Sequence, residues 1–139
     1  MLLLSNQYKE IWLIQAGELS QYLYQGKKMR TVLLAHQLAE TGADVLWWTS
    51  AFDHYGKQWL TPGNDQLNLL DQLTVRTLRG LGYKRNVSLR RYADHLLVGM
   101  KFARFAQQME KPDCIVASLP TLDLAYHACN YSKQNKIPF

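Results

Sequence analysis

The chain has 139 residues, enough for one domain with a real core and too few for two full domains. Apolar residues make up 47% and charged residues 19%, a balance that excludes intrinsic disorder, and no apolar run approaches the roughly 20 residues needed to span a bilayer. The net charge of +5 is concentrated: from Arg76 to Arg104 there are eight basic residues and one acid, Asp94, which leaves the remainder slightly acidic and favours an anionic partner such as a phosphate, an acidic lipid or a nucleic acid.

In chain order, Met1-Leu2-Leu3-Leu4-Ser5 is apolar but lacks the basic flank and long apolar stretch of a signal peptide. Glu10 to Gln15 reads as a first strand, ended by Ala16-Gly17-Glu18. A polar stretch with Tyr22 and Tyr24 leads to Gly26. Lys27 to Thr41 reads as a helix with Met29, Leu33, Leu34 and Leu38 on one face, stopped by Gly42. Asp44 to Thr49 is a second strand, completing a βαβ unit. Ser50 to Asp71 reads as irregular, with a strong turn signal at Thr61-Pro62-Gly63-Asn64-Asp65.

Leu73 to Leu78 is a third strand, and Gly80 and Gly82 open the loop after it. Ser88 caps an expected helix from Leu89 to about Glu110, and Lys111-Pro112 stops it. Asp113 to Ser118 is a fourth strand, followed by a helix near Leu122 to Gln134 and by the approach to a fifth strand. Alternating strands and helices predict an α/β fold: a Rossmann-like parallel sheet with helices on both faces. Ligands of such sheets bind beyond the carboxyl ends of the strands.

Several chemistries find no support. Metal-binding, Walker A and nucleophile-elbow motifs are missing, and Gly17 and Gly26 are too far apart for a dinucleotide fingerprint. Cys114 and Cys129 are isolated and read as ordinary buried thiols. His36, His95 and His127 fall in helical segments and read as satisfied structural histidines.

Three stretches are richer in functional groups. In Phe52-Asp53-His54-Tyr55-Gly56-Lys57, His54 can hydrogen-bond a sugar hydroxyl or move a proton, and Lys57 can meet a phosphate; the competing reading is a solvated loop. Gly82-Tyr83-Lys84-Arg85-Asn86-Val87-Ser88 joins a basic pair to a helix start, which suits an anion or equally a solvated basic loop. The helix after it carries Leu89, Ala93, Leu96, Leu97, Met100 and Ala103 between Arg90, Arg91, Lys101 and Arg104. That pattern reads as a core-facing helix with a wet basic face, or as a helix lying on a membrane surface.

These stretches, taken together with IWLIQAGE, with GKKMRTVLLAHQLAETGADVLWWTSAFDHYGK and with KPDCIVASLPTLDLAYHACNYSKQNKIPF, span nearly the whole chain. In that order they resemble the N-terminal domain of GT-B glycosyltransferases of family 4, especially the bacterial branch that builds O-antigen or capsule, fucosamine and aminosugar transferases among them. The most specific pieces are the WWTS-x-F-x-H-x-x-K stretch and GYKRNVSLRR. Where the family often has a Gly-Gly pair and an early helical Arg, this chain has Gly26 and Arg30. The family's Gly-His is Gly42-Ala43 here, and its frequent His after the fourth strand is replaced by Ser118-Leu119-Pro120.

The resemblance implies retaining transfer of a sugar from a nucleotide-sugar to a lipid-linked or saccharide acceptor in surface-polysaccharide synthesis. It implies no metal and no cofactor beyond that donor substrate. The expected location is cytoplasmic, peripheral to the inner membrane and its anionic surface. The acceptor is expected near Gly17, Glu18, Gly26, Arg30, Thr49, Ser50, Phe52, His54, Lys57 and Ser118, with Lys84, Arg85 and Asn86 near a diphosphate or the membrane. No catalytic base is assigned.

Residues 1–139 are expected to be a single acceptor-side domain without the donor-binding domain, inactive alone, with self-association through uncovered faces. The alternatives are an acceptor- and membrane-binding partner subunit of a split glycosyltransferase, and a nucleic-acid-binding module using the basic segment. Nucleic acid is not the expected partner, because no DNA- or RNA-binding motif accompanies the basic segment.

Overall fold

A computed structural model describes residues 8–139; the apolar Met1–Ser5 start lies outside them. In chain order the elements are β1 (Glu10–Ile14), α1 (Leu19–Gln25), α2 (Arg30–Glu40), β2 (Asp44–Ser50), β3 (Phe52–Asp53) and β4 (Gln58–Trp59). They continue with β5 (Gln66–Leu70), β6 (Leu73–Leu78), α3 (Leu89–Ala106), β7 (Cys114–Ala117) and α4 (Leu122–Asn135).

Five strands form one sheet in the order β5-β6-β2-β1-β7. β6, β2, β1 and β7 are mutually parallel, and β5 is an antiparallel edge strand. The parallel strands therefore lie third-second-first-fourth in chain order, the arrangement of a Rossmann-like half-sheet. β1 is an interior strand between β2 and β7, and Ile11, Trp12, Leu13 and Ile14 are all buried, as a strand covered on both faces requires. Its start is fixed by Asp113, whose Oδ2 accepts the Lys9 and Glu10 N–H groups at 2.7 and 2.9 Å; these bonds hold the carboxyl below its usual pKa.

Alternation along the strands sends side chains to two cores. Ile11, Leu13, Val45, Trp47, Leu73 and Val75 pack under α1 and α2, against Leu19, Val32, Ala35 and Ala39. Trp12, Ile14, Trp48, Leu78 and Ile115 pack under α3 and α4, against Val98, Phe102, Leu124, Ala128 and Tyr131. The second core is aromatic: Trp12 stacks on Tyr131 with centroids 5.4 Å apart, and Phe102 meets Trp48 edge-on at 5.0 Å. Each full burial of such a side chain contributes about 1.5–3 kcal/mol. Beside the outer edge of β7, the Ile115 N–H donates to the Pro138 carbonyl at 2.9 Å, so the tail approaches as a further strand would.

Several expectations need correction. The polar stretch before Gly26 contains the helix α1, which ends on Gly26 in the left-handed region, φ 61°. α2 begins at Arg30, three residues later than expected, and buries Val32, Ala35 and Ala39 while Leu33 and Leu34 are exposed. The irregular stretch 50–71 holds the β3–β4 hairpin and the edge strand β5. The sheet-facing side of α3 is Asp94, Val98, Phe102 and Ala106, so Leu89, Leu96 and Met100 lie outside the core. Among the described residues, no helix is long and apolar enough to cross a membrane.

Candidate functional site

Between β1 and β7 the crossovers diverge, α1 and α2 leaving to one face of the sheet and α4 to the other. A crevice opens there at the carboxyl ends of the strands. It holds a cavity of about 310 Å³. Gln15, Ala16, Gly17 and Glu18 line it from the end of β1, and Leu119, Pro120 and Thr121 from the end of β7. Ser50, Phe52, His54 and Tyr55 come from the β2 end and the hairpin. Tyr83, Arg91, Asp94 and His95 form the wall on the α3 side, and Met29 and Arg30 stand at the start of α2.

The β1 end is fixed by its own hydrogen bonds. Gln15 accepts the Trp47 indole N–H on its carbonyl at 2.9 Å, and its Oε1 accepts the Glu18 N–H at 3.2 Å. Gly17, at φ 114°, occupies a region that L side chains avoid and makes this turn possible. Glu18 is only 5% exposed, and its Oε2 accepts the Thr31 N–H at 2.9 Å. No side chain on α2's own N-cap residue, Met29, does this, so Glu18 supplies the capping oxygen from across the crevice.

Asp94 holds the opposite wall. It is 1% exposed, and its Oδ1 accepts the Leu81 and Gly82 N–H groups at 2.7 and 2.8 Å. Gly80 permits this approach, because a Cβ there would sit 2.7 Å from Asp94 Cγ. The loop so fixed places Tyr83 between Phe52, at 4.9 Å, and His95, at 6.0 Å between ring centroids.

Tyr83 is the hub of the wall. Its hydroxyl lies 2.7 Å from His54 Nδ1, and the Arg91 guanidinium stands over its ring, 5.7 Å from the centroid. Burial raises the phenol pKa, so the hydroxyl stays protonated. The protonated hydroxyl and Nδ1 share one hydrogen bond, whose direction follows the imidazole tautomer, and Nε2 is the second polar atom of the ring. Burial lowers the His54 pKa, and the Lys57, Arg91 and His95 charges lower it further. Burial lowers His95 as well, against the opposing pull of Asp94.

A pH dependence follows. The folded protein resists protonating His54 and His95, whereas an unfolded His titrates near pH 6.5. The folded state then binds fewer protons than the unfolded state as pH falls through that value. Stability is complete above pH 6.5 and declines toward the lowered folded values. The double variant His54→Gln/His95→Gln is expected to flatten the urea midpoint between about pH 7 and pH 5. An unchanged slope would remove these two groups from the account.

Of the residues expected at the site, Gly17, Glu18, Arg30, Ser50, Phe52 and His54 line the cavity. Thr49 does not: it is fully buried in β2, with its hydroxyl unpartnered. Gly26 is the exposed cap of α1. Ser118 follows the last residue of β7 and is not among the lining residues; its N–H donates to the Ile14 carbonyl. Lys57, in the left-handed region at φ 53°, bonds the His54 carbonyl at 2.6 Å and the Asn86 side chain. Together with Trp59, Lys84, Arg85 and Arg90 it lines a second, open concavity of about 520 Å³.

Tyr83, Arg91, Asp94 and His95 escaped sequence reasoning. Arg91, Asp94, His95 and Val98 share one side of α3 at helical spacing, but the opposite side carries more leucine and drew the core assignment. His95 is thus a cavity residue and not only structural, and the buried His36 Nε2 has no partner. Among the described residues, no group of three or more His, Cys, Asp or Glu side chains converges to hold a metal ion. Comparison with protein-family models and with curated proteins found no match for this sequence.

Proposed function

We propose that this chain is the acceptor-side domain of a retaining GT-B glycosyltransferase of bacterial surface-polysaccharide synthesis, and that the cavity between β1 and β7 receives a saccharide carried on a diphosphate lipid. The observation that carries this reading is the composition of the cavity: aromatic Phe52, Tyr55 and Tyr83, hydrogen-bonding His54 and His95, and guanidiniums of Arg30 and Arg91, at the strand ends where α/β sheets bind ligands. Its volume of about 310 Å³ lies at the lower end of small-molecule sites.

In this reading the aromatic faces cover the apolar side of a sugar ring. His54 Nε2 and the Ser50 hydroxyl bond its hydroxyls, and Arg30 and Arg91 meet the diphosphate, a charge that suits guanidinium geometry. The sequence resemblance and the third-second-first-fourth strand order support the same assignment. The nucleotide-sugar is held by a donor-binding domain, whether joined to this chain or on a separate one.

The test is a titration of the isotope-labelled chain with a short-chain polyprenyl diphosphate carrying an N-acetylhexosamine, followed through backbone amide shifts. Saturable shifts around the cavity are expected. Saturable binding that is indifferent to the sugar would overturn the saccharide reading.

A further inference from the structure

Outside the cavity wall lies the second, open concavity of about 520 Å³. Its floor is apolar: Phe52 and Trp59 of the β3–β4 hairpin meet Leu81 and Tyr83 of the loop after β6. Arg79 covers one face of the Trp59 ring, 3.8 Å from its centroid, and is not part of the lining, which leaves the other face to the concavity. Lys57, Lys84, Arg85 and Arg90 stand around this floor, and no acid among the described residues lines it. Lys57 and Arg90 are fixed before any ligand arrives. Lys57 lies in the left-handed region at φ 53°, and its Nζ bonds the His54 carbonyl and the Asn86 side chain. Arg90 donates to the Gly82 and Leu81 carbonyls at 2.7 and 2.9 Å. Lys84 and Arg85 are exposed beside them.

We propose that this concavity binds an acidic saccharide, with a sugar ring on the free face of Trp59 and its carboxylates at Lys84 and Arg85. Cations gathered without an acid call for an anionic ligand. The apolar floor and the volume call for a body larger than a bare inorganic ion. The rings do not form a slot for a flat base: Phe52 meets Trp59 at 68° and Tyr83 at 53°. A puckered sugar ring needs only one aromatic face for its C–H groups. Carboxylates on successive sugar units match cations spread from the hairpin to the start of α3.

Phe52 and Tyr83 line this concavity and the inner cavity alike, so they form the partition between the two. Trp59, Lys84 and Arg85 line only the outer side, and Gly17, Ser50 and Thr121 only the inner. The outer site rests on its own residues, and stands or falls separately from the lipid-linked acceptor reading.

Amide-shift titration of the isotope-labelled chain tests it, with a hexuronate trisaccharide, its neutral methyl ester, inorganic phosphate and a nucleoside monophosphate as probes. The trisaccharide is expected to move Trp59, Lys84 and Arg85 saturably and to leave Gly17, Ser50 and Thr121 in place. The ester is expected to bind on the order of 100-fold more weakly, since it offers the cations no charge. Lys84→Gln/Arg85→Gln is expected to weaken trisaccharide binding about tenfold with an unchanged thermal melt, because both side chains are exposed and exposed charge pairs contribute modestly. The proposal is overturned by no saturable shift at Trp59, by an ester that binds as tightly as the acid, by phosphate or the nucleotide binding as tightly as the trisaccharide, or by wild-type affinity in the double variant. Shifts at Gly17, Ser50 and Thr121 alone overturn it too, while leaving the inner cavity a saccharide site.

Discussion

Replacing Asp94 with alanine is expected to destabilise the fold by about 3–5 kcal/mol, the largest effect of any polar substitution in the cavity wall. Asp94 is 1% exposed and accepts two backbone N–H groups, from Leu81 and Gly82. Hydrogen bonds to a charged group are worth about 1.5–3 kcal/mol each, and removing the carboxylate leaves both donors without their acceptor. No other side chain bonds these two N–H groups among the described residues. The loop they belong to is already demanding: Gly82 has φ 67°, and a Cβ there would lie 2.9 Å from Trp59. Asp94→Asn keeps an acceptor oxygen in place and is expected to lose about half as much. Urea unfolding measures both, and a loss below about 1 kcal/mol for Asp94→Ala would show that the loop is held elsewhere.

Arg91→Ala is expected to weaken binding of the diphosphate-linked saccharide by roughly 10- to 100-fold, the worth of one or two charge-assisted hydrogen bonds. Arg91 lines the cavity from α3, bonds the Asn86 carbonyl and lies over the Tyr83 ring at 5.7 Å. Those contacts orient the guanidinium before any ligand arrives, so little ordering entropy remains to be lost on binding. Arg91→Lys keeps the charge but not the planar fork, and is expected to recover only part of the affinity. Titration of both variants measures this. Wild-type affinity in Arg91→Ala would move the diphosphate away from α3.

Much of this fold is legible in the sequence, and the reason is burial on both faces. Ile11–Ile14, Val45–Trp48 and Cys114–Ala117 are apolar runs of parallel strands, Leu73–Leu78 alternates, and each forms a strand in the structure. The short elements are not legible. α1 has seven residues and no side-chain cap, and depends on Leu19 entering a core assembled by distant strands. β3 and β4 have two residues each and are defined only by pairing with one another.

The orientation of α3 escaped because leucine content pointed the wrong way: the buried side carries Asp94 and Gly99, and the solvent side Leu89 and Leu96. That one rotation turns Arg91 and His95 into the cavity and leaves the leucines bare. Strand-end residues such as Gly17, Ser50 and His54 were reachable because the fold rule places ligands there; Thr49 shows its limit, since one residue's shift along β2 turns a side chain from the crevice into the core.

The most direct measurement is the amide-shift titration with the polyprenyl-diphosphate N-acetylhexosamine, run beside the same lipid diphosphate without its sugar. The account predicts saturable shifts at Gly17, Ser50, His54, Arg91 and His95 with the saccharide, and at Arg91 but not at Ser50 or His54 with the bare diphosphate. Shifts confined to the exposed face of α3, or identical for the two compounds, would contradict an acceptor site between β1 and β7.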